Sequence, residues 1–308
     1  MKWAASSQPP QQIKFCNAPD GVRIAYAVHG RGPALLISTC WLSHLQFDWQ
    51  SPVWRHFLIE LGKIATVVRF DERGHGLSDW DVTDHSFEAR VGDLEAVADA
   101  AGFSTFALMG MAQGGPVSVA YAVRHPERVT RMLFYGSFSN AGRLMTAEDR
   151  ELDDAFEPMI KAGWARPDST FRRVFTSLMI PAATEEQMTW LDDLQRMATS
   201  ASTAVIARQQ RRQSNVDELL GELRVPTLVL HATGDRMNRF EFRRELASGI
   251  AGARLVALPS DNHIVLQDEP AWPIFVDEVD RFLEEDRRTS NAEPLPDSLS
   301  ERELQVLQ

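Results

Sequence analysis

Short apolar runs alternate with amphipathic stretches along most of this chain, and that alternation sets the first expectation. Residues 13–17 and 22–29 read as two strands, with Asp20-Gly21 between them as the favoured two-residue hairpin turn. Gly30-Arg-Gly-Pro33 breaks the chain, and residues 34–38 follow as a continuous apolar run, as expected of a strand covered on both faces. Further strands are expected at 65–70, 105–110, 131–135, 226–231 and 253–258, with helical patterns at 87–101 and 115–125 among them. This order predicts an α/β fold: a mostly parallel central sheet, an N-terminal antiparallel hairpin, and helices on both faces.

One interval does not alternate. Residues 145–220 carry no strand pattern, only helical stretches rich in Glu, Arg, Met and Ala, broken at Pro158, Pro167 and Pro181. Lying between two sheet strands, this interval reads as a helical cap over the strand ends, where ligand crevices of open α/β sheets lie. The core then falls into two parts, 13–144 and 221–286, after a polar start at 1–12 that is expected to be disordered. A polar, proline-bearing linker is expected at 287–298. Ser300-Glu-Arg-Glu303 forms a capping box that opens a new helix within 299–308.

Composition narrows the classes of function. A net charge of −11 argues against nucleic-acid binding by this segment, since phosphate recognition needs a basic footprint. The two cysteines, Cys16 and Cys40, form no Cys-x-x-Cys pair, so neither a zinc site nor a disulfide framework is expected. A reducing, cytoplasmic setting follows, with no apolar run long enough to span a membrane. No metal and no organic cofactor is expected, and homodimerisation stays open.

The chemistry concentrates at Phe106-Ala-Leu-Met-Gly110-Met111-Ala112-Gln113-Gly114-Gly115. An apolar strand runs through Gly-x-Ala-x-Gly-Gly directly into a helix. In a Gly-x-Ser-x-Gly elbow the nucleophile sits on such a turn, and the next residue's N–H stabilises negative charge on the substrate oxygen. Here the glycines are present and the hydroxyl is not: a methyl group has no lone pair with which to attack a carbonyl.

Other stretches match in order. Val68-Arg-Phe-Asp71-Glu-Arg73-Gly74-His75-Gly76-Leu-Ser78, Trp41-Leu-Ser-His44 with Asp48–His56, and Arg124-His-Pro-Glu-Arg-Val129 together resemble the α/β-hydrolase family. The nearest likeness is to the hydrolase-like domain fused to LuxR-type regulators or adenylate-cyclase domains in bacteria. The resemblance implies that Ala112 holds the nucleophile position, Asp235 in His231-Ala-Thr-Gly-Asp235 the acid, and His263 in Asp261-Asn-His263 the general base. It places the oxyanion hole at the backbone of Gln113 and of Cys40 or Trp41, where Thr39-Cys40-Trp41 departs from the usual His-Gly. Trp41, Met111, Phe138 and Met237 are the substrate-pocket candidates. Asp71-Glu-Arg73 resembles a buried ion pair holding a turn. The tail, Leu299-Ser-Glu-Arg-Glu-Leu-Gln-Val-Leu-Gln308, resembles the opening of a LuxR-type helix-turn-helix domain without its groove-reading helix.

Two functions from different classes follow. In one, the chain is a serine-hydrolase scaffold for a small ester or lactone, with activity impaired by alanine at position 112. In the other, it is a natural small-molecule receptor that controls an appended DNA-binding domain. Whether alanine at 112 is a substitution in a serine parent or the natural residue stays open at this point.

Overall fold

The computed structural model describes residues 11–40, 42–143, 145–168 and 170–290. Eight strands form one sheet: β1 (Gln12–Asn17), β2 (Arg23–Gly30), β3 (Ala34–Ser38), β4 (Thr66–Phe70), β5 (Phe106–Met111), β6 (Val129–Tyr135), β7 (Thr227–Ala232) and β8 (Arg254–Leu258), in the order β1-β2-β4-β3-β5-β6-β7-β8. The β1–β2 and β2–β4 pairs are antiparallel, and every later pair is parallel. The connecting helices are α1 (Leu45–Asp48), α2 (Arg55–Ile64), α3 (Phe87–Ala100), α4 (Gly114–Arg124), α9 (Phe240–Gly249) and α10 (Ala271–Ser290). Four further helices, α5 (Ala147–Gly163), α6 (Thr170–Met179), α7 (Glu185–Ala198) and α8 (Ala201–Gln213), fill the interval between β6 and β7.

Successive side chains of a strand point to opposite faces, so a sheet covered on both sides must be apolar at every position. Leu35, Ile37, Met109, Leu133 and Tyr135 join the core under α2, α10 and the cap. Their neighbours Leu36, Leu108, Met132 and Phe134 join the core under α3, α4 and α9. The two layers of helix therefore account for the continuous apolar runs.

Four local expectations need correction. The hairpin loop spans five residues rather than two, because the ladder ends at the Asn17–Arg23 pair. Pro19, with no N–H, cannot extend that ladder. The first strand begins inside the stretch expected to be disordered: Gln12 already belongs to β1 and Gln11 Nε2 donates to Leu45 O at 2.8 Å, while residues 1–10 lie outside the described residues. Helix α5 runs through Pro158 instead of breaking there, since Phe156, Ile160 and Trp164 bury one face and offset the lost backbone bond. Helix α10 reaches Ser290, inside the stretch expected to be linker, because after Pro273 in its first turn no glycine or proline intervenes before Pro294; residues 291–298 lie outside the described residues.

The cap is fastened to the sheet on two sides. Gly76 N donates to Ala198 O at 2.7 Å, and Thr199 Oγ1 donates to Gly74 O at 2.8 Å. On the other side His263 N donates to Met179 O at 2.8 Å, tying the end of α6 to the loop after β8. Among the described residues no helix is long and apolar enough to cross a membrane. The tail at 299–308 lies outside the described residues.

Candidate active site

The turn between β5 and α4 holds Ala112 at φ 45°, the only non-glycine with positive φ among the described residues. For an L-residue that conformation costs about 1–2 kcal/mol, so the surroundings must impose it. They do so through backbone bonds: Ala112 N donates to Tyr135 O at 3.0 Å, and Gly115 N donates to Ala112 O at 3.2 Å. Ser137 Oγ adds a bond to Ala112 O at 2.8 Å. Close packing explains the adjacent glycines. A Cβ on Gly110 would lie 2.7 Å from Gly115 Cα, and one on Gly114 would run into Ser38 O.

Gln113 is the N-cap of α4. Its N–H therefore belongs to the helix-terminal donors that no intrahelical carbonyl accepts. Its side chain is drawn aside, donating to Glu72 Oε2 at 3.2 Å, while Glu72 Oε1 accepts from Arg90 at 2.7 Å. The loop after β3 reaches this turn, since a Cβ on Gly114 would also meet Thr39 O. Cys40 follows Thr39 and is buried. Burial pushes its thiol up to about 12, with Asp48 and Glu72 adding to the effect, so the sulfur stays protonated and unreactive. Trp41 lies outside the described residues.

Asp235 stands beyond the end of β7 with its carboxylate fully engaged. Oδ1 accepts from Met237 N at 2.8 Å and Asn238 N at 3.0 Å. Oδ2 lies 2.7 Å from His263 Nδ1 and 3.2 Å from His231 Nε2. Burial alone would raise this carboxyl, but the attraction it would feel to a protonated His263 ring and the hydrogen bonds from His231 and His263 outweigh it. They hold the group well below the usual carboxylate range.

Facing a carboxylate, Nδ1 of His263 carries the proton, which leaves Nε2 as the ring's lone-pair nitrogen. Among the described residues nothing hydrogen-bonds to that Nε2. The loop that carries the ring is held through its backbone: Tyr135 OH donates to His263 O at 2.9 Å and accepts from Val265 N at 2.9 Å. Gly136, at φ 57°, makes room for the ring, since a Cβ there would lie 2.8 Å from His263 Cε1. Ala112 and His263 thus both abut the Tyr135–Ser137 turn. Chemically, the pair can take up a proton at Nε2 and steady the resulting imidazolium.

The pocket candidates separate. Met111 shares a small apolar cavity with Cys40 and Trp54. Met237 lines a larger one, 130 Å³, beneath the cap. Phe138 is fully buried and packs beneath the Arg211 guanidinium. The Asp71-Glu-Arg73 turn is held otherwise than expected. Arg73 pairs with Asp93 at 2.6 Å and Asp20 at 2.7 Å, while Asp71 accepts from Ser43 Oγ, Leu45 N and Leu77 N. Asp71 precedes Arg73 by two positions, so the guanidinium reaches outward to α3 and the hairpin loop instead.

Sequence reasoning missed His231, Asn238 and Ser137. His231 is buried and its Nε2 lies 2.7 Å from Asn238 O, so it braces both the acid and the loop that binds it. The spacing His231-x-x-x-Asp235 was the available signal. Among the described residues no cluster of three or more His, Cys, Asp or Glu side chains is arranged to hold a metal.

An eight-stranded, mostly parallel sheet with a strained strand-to-helix turn, an acid and a histidine at its C-terminal edge defines a hydrolase-type α/β scaffold. The chain belongs to the alpha/beta hydrolase fold family, whose description matches residues 33–270. It is 25% identical to the AB hydrolase superfamily protein YisY of Bacillus subtilis over 248 residues, 78% of this chain and 88% of that one. It is 27% identical to a 2-hydroxy-6-oxo-2,4-heptadienoate hydrolase of Pseudomonas putida over 241 residues, 68% of this chain and 71% of that one. An enol-lactonase from Burkholderia xenovorans superposes with a TM-score of 0.72 at 22% identity, covering 88% of this chain and 100% of its own.

Proposed function

We propose that this chain is a serine-hydrolase scaffold for carboxylic esters or lactones in which Ala112 stands in the nucleophile's place, so that it binds such molecules without turning them over efficiently. One observation carries the reading: the His263 ring, oriented by Asp235 at 2.7 Å, has its Nε2 unpartnered among the described residues, beside a strained turn. With serine at 112, Oγ would attack the carbonyl carbon while Nε2 takes its proton and Asp235 steadies the imidazolium. The Gln113 N–H and a donor from the Cys40 loop would stabilise the oxyanion. Ser137 does not take over, since its Oγ bonds to Ala112 O rather than to the ring. Family membership and a hydrolase among the relatives support the reaction class.

Ala112→Ser is expected to raise hydrolysis of p-nitrophenyl acetate or a simple lactone by roughly 10³-fold or more over the parent. A serine form no faster than the parent overturns the reading.

A second reading, the ligand-sensing half of a transcriptional regulator, rests on the likeness of Leu299–Gln308 to the start of a LuxR-type helix-turn-helix. It predicts that ligand changes the DNA affinity of a longer chain carrying the whole domain. A cytoplasmic location is part of this proposal, supported by two unbonded cysteines.

A further inference from the structure

Although the chain carries a net charge of −11, the 130 Å³ cavity under the cap is lined by four arginines and two aspartates, beside apolar walls such as Leu178 and Phe242. Both aspartates are already committed. Asp153 is held by Arg208 and Arg212, and Asp149 accepts from Thr146 N at 2.8 Å and pairs with Arg239 at 3.3 Å.

Arg211 is placed differently. Its Nη2 donates to Asn238 Oδ1 at 2.5 Å and to Met237 O at 3.5 Å, and its guanidinium lies 4.9 Å over the Phe138 ring. These acceptors are neutral, and among the described residues no carboxylate pairs with it. The one carboxylate tied to the same loop, Asp235, already takes Met237 N, Asn238 N, His263 and His231. Burial works against the Arg211 charge and the more distant charge of Asp235 supports it, leaving the group lowered to about 10 and cationic at neutral pH. A half-buried guanidinium whose hydrogen-bond acceptors are all neutral is suited to an anion, and its planar fork suits a carboxylate.

The same residues connect Arg211 to the elbow. Phe138, beneath the guanidinium, follows Ser137, which bonds to Ala112 O. Asn238 bonds both to Arg211 and, through Nδ2 at 2.6 Å, to Gly136 O beside the His263 ring.

We propose that Arg211 is a specificity residue that binds the carboxylate of an anionic ester or lactone, a small acid whose reacting carbonyl lies toward Ala112. This rests on the ester- or lactone-binding reading above. The substrate class narrows accordingly to half-esters of dicarboxylic acids and lactones bearing a free carboxylate.

Because the parent chain should not turn its ligand over, binding is measured directly. Calorimetric titration with monomethyl glutarate and with dimethyl glutarate is expected to show the half-ester bound about tenfold tighter or more, as for a charged hydrogen-bonded contact. Arg211→Met should erase that preference while changing the neutral ester's affinity little, and Arg211→Lys should retain part of it. A thermal melt of each variant shows whether the fold survived. If Arg211→Met does not fold, the Arg211→Lys preference decides, and a preference as large as the parent's counts against a bidentate contact.

Equal binding of the two esters, no binding of the half-ester at millimolar concentration, or a preference untouched by a folded Arg211→Met overturns the inference. The failures are separable through Ala112→Ser. A serine form that hydrolyses neutral esters without favouring half-esters keeps the hydrolase reading and removes Arg211. One that hydrolyses neither removes the reading itself.

Discussion

The elbow at Ala112 and the Asp235–His263 pair meet at the same turn, Tyr135–Ser137, yet they are finished to different degrees. Around the acid the side chains themselves are engaged: the carboxylate has four partners, one of them the His263 ring, while Tyr135 and Met179 hold the backbone of His263 and Gly136 leaves room for its ring. Around Ala112 the hydrogen bonds all serve the backbone, which is held at φ 45° for a side chain that is only a methyl. A strained backbone persists where its surroundings over-determine it, and such strain gathers at functional sites. The geometry of catalysis is therefore a property of the scaffold, separable from the one atom that performs the attack.

The sharpest way to test this contrast is in the Ala112→Ser background. There Asp235→Asn should lower kcat by roughly 10⁴-fold, because the ring loses its oriented tautomer. In the alanine parent the same change should leave the residual hydrolysis nearly unaltered, since groups acting as a unit are not additive. Equal losses in both backgrounds would break the comparison. Asp235 also links the site to acid stability. Its folded value is depressed, so its contribution is fully present above about pH 4, the ordinary aspartate range, and is lost as pH falls through the folded value. Denaturation midpoints followed across that range should show a shallower acid decline in Asp235→Asn.

A smaller effect comes from the elbow's packing. Gly114→Ala drives a Cβ into Ser38 O and toward Thr39 O, and should destabilise the chain by about 1–3 kcal/mol, read from urea unfolding. The smallest effect has the opposite sign. Ala112→Gly relieves the positive φ and should stabilise by about 1 kcal/mol at most, the strain relieved minus the added chain entropy. A marked loss of stability there would mean that the turn is not strained.

Most of the fold was legible because the strands are short apolar runs bounded by glycine, proline and polar turns, as at Gly30–Pro33 before β3. Helices α2 and α9 were not foreseen; α2 runs almost directly into β4, so its apolar residues merge with those of the strand. The residues proposed for chemistry could be placed because the elbow, the acid and the histidine each follow a strand. What could not be read was which side chains meet across the fold. Arg73 finds Asp93 twenty positions away, His231 reaches over to Asn238, and Arg211 comes down from the cap onto Phe138. Such contacts depend on how the cap and the loops dock, and no local pattern encodes that.

Mass spectrometry of the Ala112→Ser chain after exposure to a fluorophosphonate tests the central claim most directly. One adduct per chain is expected, located on residue 112, absent from the alanine parent and strongly slowed by His263→Ala. A serine form that remains unlabelled, or an adduct on any other residue, would contradict the account.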